Sequence, residues 1–497
     1  MNTLLPLTVA VPLGTGFITA LLPKKLNRVS DIIAVFSAGV ILLNVIFLFG
    51  YEGIYEMGGW NPPMGISLYI DSFSWLMLIG VSSVGFLLIL YSVKYMSIYT
   101  SRNRYYVLFF MMIAGINGTL LAGDIFNRFV YVELAAISSY ILVGFGCSSR
   151  SLSAAIKFTV LGALASAVTL FSIAILYALY GTVNIAHLGA EITNLHSYNS
   201  FFNPLTLSAF MMVIGFGIKA AVIPFHIWQP DALETAPSPA AAAISTILIT
   251  STGVYAMLRT AYAVFNSITQ LPYLIAFIGL ISVVFGTLYA YSAETYKKTI
   301  SYHSISQIGY IILGLGLGGS PIVHQTAPEA AALAATGSLF HIINYLIFTP
   351  VLFLKEGVYE YLSGKEKDSN TDYPTVSKAG IFSLAGIPPF GGFISKLMII
   401  AACFMTGGLP GIIAGIIASA AAVHTVLSLT KKDLLKLKTS LELKNIPGFM
   451  KTPILFLSFM CLASSLLFLP VLRQRFLEPA RTNIIPIHEQ KPESIKK

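Results

Sequence analysis

Fourteen long apolar runs, almost empty of charge, leave this chain few ways to fold. They fall at about 4–22, 31–50, 74–93, 106–122, 125–145, 153–179, 205–228, 239–259, 271–292, 299–318, 332–354, 377–404, 409–429 and 452–470. A bilayer-spanning helix needs about 20 apolar residues, so each run predicts one crossing. Only 10% of the 497 residues are charged and mean hydropathy is +0.79. Soluble domains carry roughly 25% charge, so a large soluble enzyme is excluded. A β-barrel is excluded too, because its strands read as short alternations and not continuous runs. The expected fold class is an all-α membrane protein of about 14 transmembrane helices with short loops.

Orientation follows from the basic residues. The connection between helices 1 and 2 holds Lys24, Lys25 and Arg28, and that between 3 and 4 holds Lys94, Arg102 and Arg104. Arg150 lies between 5 and 6, and Lys297 and Lys298 between 9 and 10. Lys355, Lys365, Lys367 and Lys378 fall between 11 and 12. Between 13 and 14 fall Lys431, Lys432, Lys436, Lys438, Lys444 and Lys451. The alternate connections are acidic or neutral, as with Glu52, Glu56 and Asp71. Both termini are therefore predicted outside a cell membrane, with Arg259 and the tail after Arg473 as exceptions. The first run, with no basic residue before it, reads as a retained helix and not a signal peptide. The net charge of +9 serves topology and implies no nucleic acid.

No redox centre is expected here. Cys147, Cys403 and Cys461 are far apart, without metal or iron–sulfur spacing. No dinucleotide fingerprint or phosphate loop is present, so no cofactor, metal or catalytic residue is predicted.

Ionisable groups inside spans are the functional candidates, because each costs several kcal/mol unless paired or hydrated. Glu133 lies near the centre of helix 5, Lys219 near the middle of helix 7, His341 in helix 11 and Lys396 in helix 12. Lys157 sits about one and a half turns into helix 6, where it can also snorkel inward. A purely structural reading has Glu133 and Lys219 pinning the bundle, but buried ion pairs stabilise poorly. Helices 7 and 12 also carry breakers. Pro224 in GFGIKAAVIPFHIW frees the carbonyl of Ala220, and Pro388 and Pro389 in SLAGIPPFGGFISK free those of Leu384 and Ala385. Paired interruptions in corresponding halves mark inverted-repeat transporters. Helices 4–8 and 9–13 would form the two repeats, each with a lysine on a broken fourth helix.

Weaker candidates for ion translocation are His303, a proton relay or an interfacial histidine, and His226, which bonds a freed carbonyl, passes protons or is simply satisfied near the inner surface. Asp124 and Arg128 stand i,i+4 and are expected to pair. The lysine-rich stretch 431–451 reads as a solvated cytoplasmic loop, with anionic lipid or a partner as alternatives.

The segments GDIFNRFVYVEL, AAIKFTVLGA, GFGIKAAVIPFHIWQPDA, KKTISYHSISQIGY, LFHIINY and SLAGIPPFGGFISK together resemble the antiporter-like membrane subunits of respiratory complex I. They look most like the D-type subunit of Mrp cation/proton antiporters and its homologues in membrane-bound hydrogenase-type complexes. The resemblance runs from helix 3 to helix 13. It implies that Glu133, Lys157, Lys219, His341 and Lys396 carry ion translocation. It also exposes departures: Ser251 stands where the family commonly has a helix 8 lysine, Thr349 where some members have another, and Arg128 replaces an apolar residue.

The resulting organisation is 1–105 for helices 1–3, 106–260 for the first repeat, 271–430 for the second, and 431–497 for the basic loop, helix 14 and tail. The expected function is movement of protons, or exchange of protons for sodium, by one subunit of a larger membrane complex. Its partners would be antiporter-like paralogues and other membrane subunits, with a peripheral redox module on the cytoplasmic side. Pairing with Glu133 favours the protonated form of Lys219 and burial opposes it, so opening the pair favours proton release. Hydroxyls around Ser251 would hold water between helices 7, 8 and 11 at the depth of Lys219. The rivals are a non-conducting structural subunit and a free-standing secondary transporter.

Overall fold

The computed structural model describes residues 3–60, 62, 65–194, 203–363, 378–432, 434 and 446–484. The bases Lys365, Lys367, Lys436, Lys438 and Lys444, and the end of the tail, lie outside the described residues.

The described chain is almost wholly helical. Its spans are α1 (Leu4–Leu21), α2 (Asn27–Phe47), α3 (Ser72–Tyr95), α4 (Arg102–Leu121), α5 (Ile125–Val143) and α6 (Ser149–Tyr180). After a short surface helix at Ile185–Asn194 come α7a (Pro204–Lys219) and α7b (Trp228–Thr235), then α8 over Ser238–Ala263. Next are α9 (Leu271–Ser292), α10 (Tyr296–Gly318) and α11 (Pro328–Ser363). The last are α12a (Lys378–Ala385), α12b (Gly391–Met405), α13 (Gly408–Lys431) and α14 (Gly448–Ala463). Eleven helices among the described residues are long and apolar enough to cross a membrane, and the chain is a multi-pass membrane protein. α7a and α12b are apolar but shorter, since each is one part of an interrupted helix.

Burial sorts the helices. α8 is enclosed along its whole apolar window and α11 along almost all of it, whereas only a third of α6 is covered. The two enclosed helices form the axis on which the others pack. Over Ile244–Tyr255, α8 is wound as a π-helix, a form that usually occurs as single turns at functional sites. A β-hairpin that hydropathy did not announce, β1 (Gly53–Glu56) with β2 (Ser67–Ile70), joins α2 to α3.

Several bases expected in connections are in helices instead. Lys297 is the second residue of α10, Lys355 lies inside α11 and Lys378 opens α12a, and all three are buried. The apolar runs marked α10 and α11 too short, because polar residues continue them at one end. Arg259, the exception to the charge rule, is buried against Asp71 at the N-cap of α3 and donates to the Asn483 carbonyl at 3.0 Å. Its charge is thus neutralised within the fold. Asp124 and Arg128 do not pair. Asp124 caps α5 by accepting from the Asn127 N–H at 2.6 Å, and Arg128 donates to the Ala122 carbonyl at 3.1 Å. The N-cap role draws the carboxylate toward the helix end and away from its i+4 neighbour.

Candidate functional site

The break in α7 comes from its cap as much as from its proline. Lys219 ends α7a, and Ala221 then takes a left-handed conformation with φ 54°. The Ala221 N–H bonds the Ile218 carbonyl and the Val222 N–H bonds the Gly217 carbonyl, each at 3.1 Å. Such paired bonds close a helix C-terminus, and Pro224 then prevents its resumption. The carbonyl of Ile218 also accepts from the Trp228 indole at 2.9 Å, and the Ile223 N–H donates to Ser282 Oγ at 3.0 Å. The interruption is therefore hydrogen-bonded within protein, as backbone at membrane depth must be.

Lys219 turns into the bundle from this break. Its Nζ lies 3.0 Å from Glu133 Oε1, 3.1 Å from the Tyr140 hydroxyl and 3.2 Å from Ser166 Oγ. Ser166 donates in turn to the same Glu133 oxygen through a short bond. α5 supplies Glu133 and Tyr140, α6 supplies Ser166, and α7a supplies the ammonium. The lysine side chain is only 6% exposed, while that of Glu133 is 24% exposed. Tyr140 was legible, because i,i+7 places it on the Glu133 face of α5. Ser166 carried no such signal.

A second group forms at the other break. α12a ends at Ala385, and Gly386 takes φ 74°. Its N–H bonds the Ser383 carbonyl at 3.2 Å and the Ile387 N–H bonds the Phe382 carbonyl at 3.0 Å, repeating the α7a cap. The carbonyl of Leu384 accepts from Lys396 Nζ at 2.5 Å. That ammonium also stands 5.5 Å from the centre of the Tyr310 ring. Its neighbour Ser395 meets His341 Nδ1 at 2.9 Å, so His341 and Lys396 share one site.

The remaining candidates lie apart from these two groups. Lys157 is half exposed and pairs with Asp231 of α7b at 2.7 Å. His226 follows Pro224 and stacks on Tyr289, with ring centres 5.5 Å apart. His303 is fully buried, with Nε2 3.3 Å from Ser428 Oγ of α13. Ser251 is fully buried and its hydroxyl has no protein partner, nor does that of Thr349 or Nε2 of His341. The neighbouring hydroxyls of Thr250 and Thr252 instead bond their own helix, to Thr246 and Leu248. Gly253 packs α8 against the break itself, since a Cβ there would come within 2.4 Å of Ala220 Cα.

Comparison with known proteins gives consistent results. A family model described as NADH:quinone oxidoreductase/Mrp antiporter, transmembrane, matches residues 122–422. A second, for the N-terminus of NADH-ubiquinone oxidoreductase (complex I) chain 5, matches residues 59–106. The D-type subunit of the Na(+)/H(+) antiporter of Alkalihalophilus pseudofirmus is 30% identical over 446 residues, covering 87% of this chain and 86% of that protein. The N-type subunit of the NADH-quinone oxidoreductase of Desulforudis audaxviator is 28% identical, covering 80% of this chain and 76% of that one. Among solved structures, a chain of the Mrp complex from Dietzia sp. superposes with TM-score 0.81 at 24% identity, covering 97% of this chain and 98% of that chain. A chain of the membrane-bound sulfane sulfur reductase, an archaeal respiratory membrane complex, does so with TM-score 0.82 at 25% identity, covering 98% of each.

Proposed function

We infer the function of this chain from its family and its buried charges: it belongs to the NADH:quinone oxidoreductase/Mrp antiporter transmembrane family and is an antiporter-like subunit of a membrane complex. The finer reading is our own. The chain moves protons, or exchanges protons for sodium, across a plasma membrane through fourteen crossings arranged as two inverted repeats, helices 4–8 and 9–13. Support for the repeats comes from α7 and α12, which break with the same cap. The lysines differ in position: Lys219 ends the 16-residue segment before the α7 break, and Lys396 lies in the 15-residue segment after the α12 break.

The observation that carries the mechanism is the Glu133–Lys219 pair at 3.0 Å, set beside a helix break. Closed, the pair sets the Lys219 ammonium against its counter-charge. Open, the ammonium is left buried with only the hydroxyls of Tyr140 and Ser166, and its charge moves on. His341 and Lys396 receive the charge farther along. Glu133 remains partly exposed on the bundle surface, where lipid is a poor neighbour for a carboxylate. A neighbouring membrane subunit covering α5 and α6 removes that cost. Driving chemistry, where there is any, belongs to a peripheral module made of other chains.

The non-conducting reading has its own support in Ser251 and Thr349, uncharged where the resemblance expects lysines, and in the close packing of Gly253 on Ala220. Measuring cation-dependent proton movement in sealed vesicles that contain the whole complex separates the two. Lys219→Ala should abolish or sharply reduce transport while the complex still assembles. Wild-type transport by an assembled Lys219→Ala complex would overturn the role given to Lys219.

A further inference from the structure

A second ion pair, outside the site above, closes one end of the bundle. Lys297 Nζ lies 2.5 Å from Glu360 Oε1 and donates to the Ala236 carbonyl at 2.9 Å. The other carboxylate oxygen accepts from Ser238 Oγ at 2.7 Å and from the Tyr95 hydroxyl through a short bond. Three helices, α3, α8 and α10, therefore converge on one carboxylate of α11, and the connection before α8 holds the lysine. Exposure is uneven, since the Glu360 side chain is 30% exposed and that of Lys297 only 7%. The acid is the more exposed member, and the base stands behind it.

Behind this pair a polar stripe runs into the membrane. Along α11 the residues His341, Tyr345, Thr349, Glu356 and Glu360 follow at helical spacing on one face. Oε2 of Glu356 and the Thr349 hydroxyl are buried without protein partners. The Tyr345 hydroxyl lies 3.1 Å from Ser245 Oγ, which donates to Ser304 Oγ at 3.2 Å. Ser245 and Ser304 each stand seven residues past a member of the surface cluster, Ser238 and Lys297, and so on the same helix faces. The stripe ends at His341, which bonds Ser395, the residue before Lys396.

We propose that Glu360 collects protons from the solution at this end of the bundle, that the Lys297–Glu360 pair is the valve, and that the α11 stripe delivers them to His341 and Lys396. The proposal rests on the transport reading above and gives the second site its own intake. A proton from solution adds to the Glu360 carboxylate and breaks its pair with the Lys297 ammonium, which the Ala236 carbonyl still holds. The proton then passes to the Glu356 carboxylate, Glu360 becomes anionic again and the pair closes. From neutral Glu356 the proton moves through the hydroxyl stripe to His341, leaving Glu356 anionic as before. The ionisable groups facing Glu360 are Tyr91, Tyr95 and Tyr99 from α3 and its end, Lys297 from α10, and Glu356 from α11. Lys355 and Lys378 stand beyond Glu356.

The test uses the complete complex in sealed vesicles, with external pH varied on each face in turn. Glu360→Gln should slow proton movement about fivefold or more and flatten its dependence on pH at the Glu360 face alone, and Glu360→Asp should restore that dependence. A merely structural role would lower the yield of complex and leave the pH dependence unchanged. A second measurement needs no transport. In a Cys147→Ser background, Glu360→Cys and Glu356→Cys should both react with a small membrane-impermeant thiosulfonate from the same face. Unreactive Glu356→Cys beside reactive Glu360→Cys would overturn the route. A silent wild-type complex would overturn the transport reading itself. An active wild type matched by an equally active Glu360→Gln variant, with the same pH dependence, would overturn this intake only.

Discussion

The two broken helices hold their lysines in opposite ways. Lys219 faces a carboxylate, so its charge is balanced and the energy at stake is that of a pair. Lys396 faces a carbonyl and an aromatic ring, so its charge is solvated but not neutralised. The difference teaches that one kind of helix break serves two electrostatic designs. In α7 the break frees the lysine to meet an acid on another helix, and in α12 the break itself supplies the acceptor, the Leu384 carbonyl.

Removing the acid from the first site should have the largest effect. Glu133→Gln leaves a buried ammonium without its counter-charge, an event that costs about 3–5 kcal/mol in buried pairs. The expected outcome is loss of transport together with a fall in thermal stability of the complex. The double variant Glu133→Gln with Lys219→Met should recover the stability but not the transport. Equal stability of the single and double variants would show that the two sites do not differ as described.

Lys396→Met is the matching change in the second site. Transport should again fall, by roughly tenfold or more, which corresponds to about 1.4 kcal/mol in a barrier. Stability should hold or rise, because no carboxylate is left alone and the Leu384 carbonyl loses only one donor. A stability loss as large as that of Glu133→Gln would mean that Lys396 has an acid partner after all.

Much of this contrast was legible in the sequence, and part of it was hidden for physical reasons. Hydropathy located the helical stretches, and charge in apolar surroundings singled out Glu133, Lys219, His341 and Lys396. The prolines pointed to the breaks. The left-handed cap at Ala221 was not visible, because alanine is a helix former and only the packed structure imposes positive φ there. Lys378 was misread as a loop base because it stands at the edge of its run, and Lys297 and Lys355 because a helix extending past its apolar run looks like a connection in hydropathy alone. Glu356 and Glu360 were missed for the same reason, and Ser166 because a serine in an apolar helix is ordinary.

Neutral partners of Lys219 should matter less than its acid. A hydrogen bond to a charged group is worth about 1.5–3 kcal/mol, and here two hydroxyls share the ammonium with a carboxylate. Tyr140→Phe and Ser166→Ala should each slow transport a few-fold and shift the pH at which it is half maximal. Ser166→Ala should have the greater effect, since that hydroxyl also holds Glu133. If neither substitution changes the rate or the pH profile, the pair works without its hydroxyl frame.

The smallest effects should come from the caps, where the same conformation is held by different residues. A left-handed residue other than glycine is disfavoured by about 1–2 kcal/mol. Gly386→Ala adds that strain at φ 74°, while its new Cβ would sit 3.5 Å from Lys396 Cδ, an ordinary contact. Ala221→Gly removes the strain at φ 54° but loosens the unfolded chain, so the two terms nearly offset. Thermal unfolding of the complex should therefore show Gly386→Ala less stable by about 1 kcal/mol and Ala221→Gly unchanged or slightly better. Because the α12 cap aims the Leu384 carbonyl at Lys396, Gly386→Ala should also lower transport, whereas Ala221→Gly should not raise it. The opposite ranking would mean that the left-handed turn in α7 is held by its surroundings alone, and that the two breaks are not built alike.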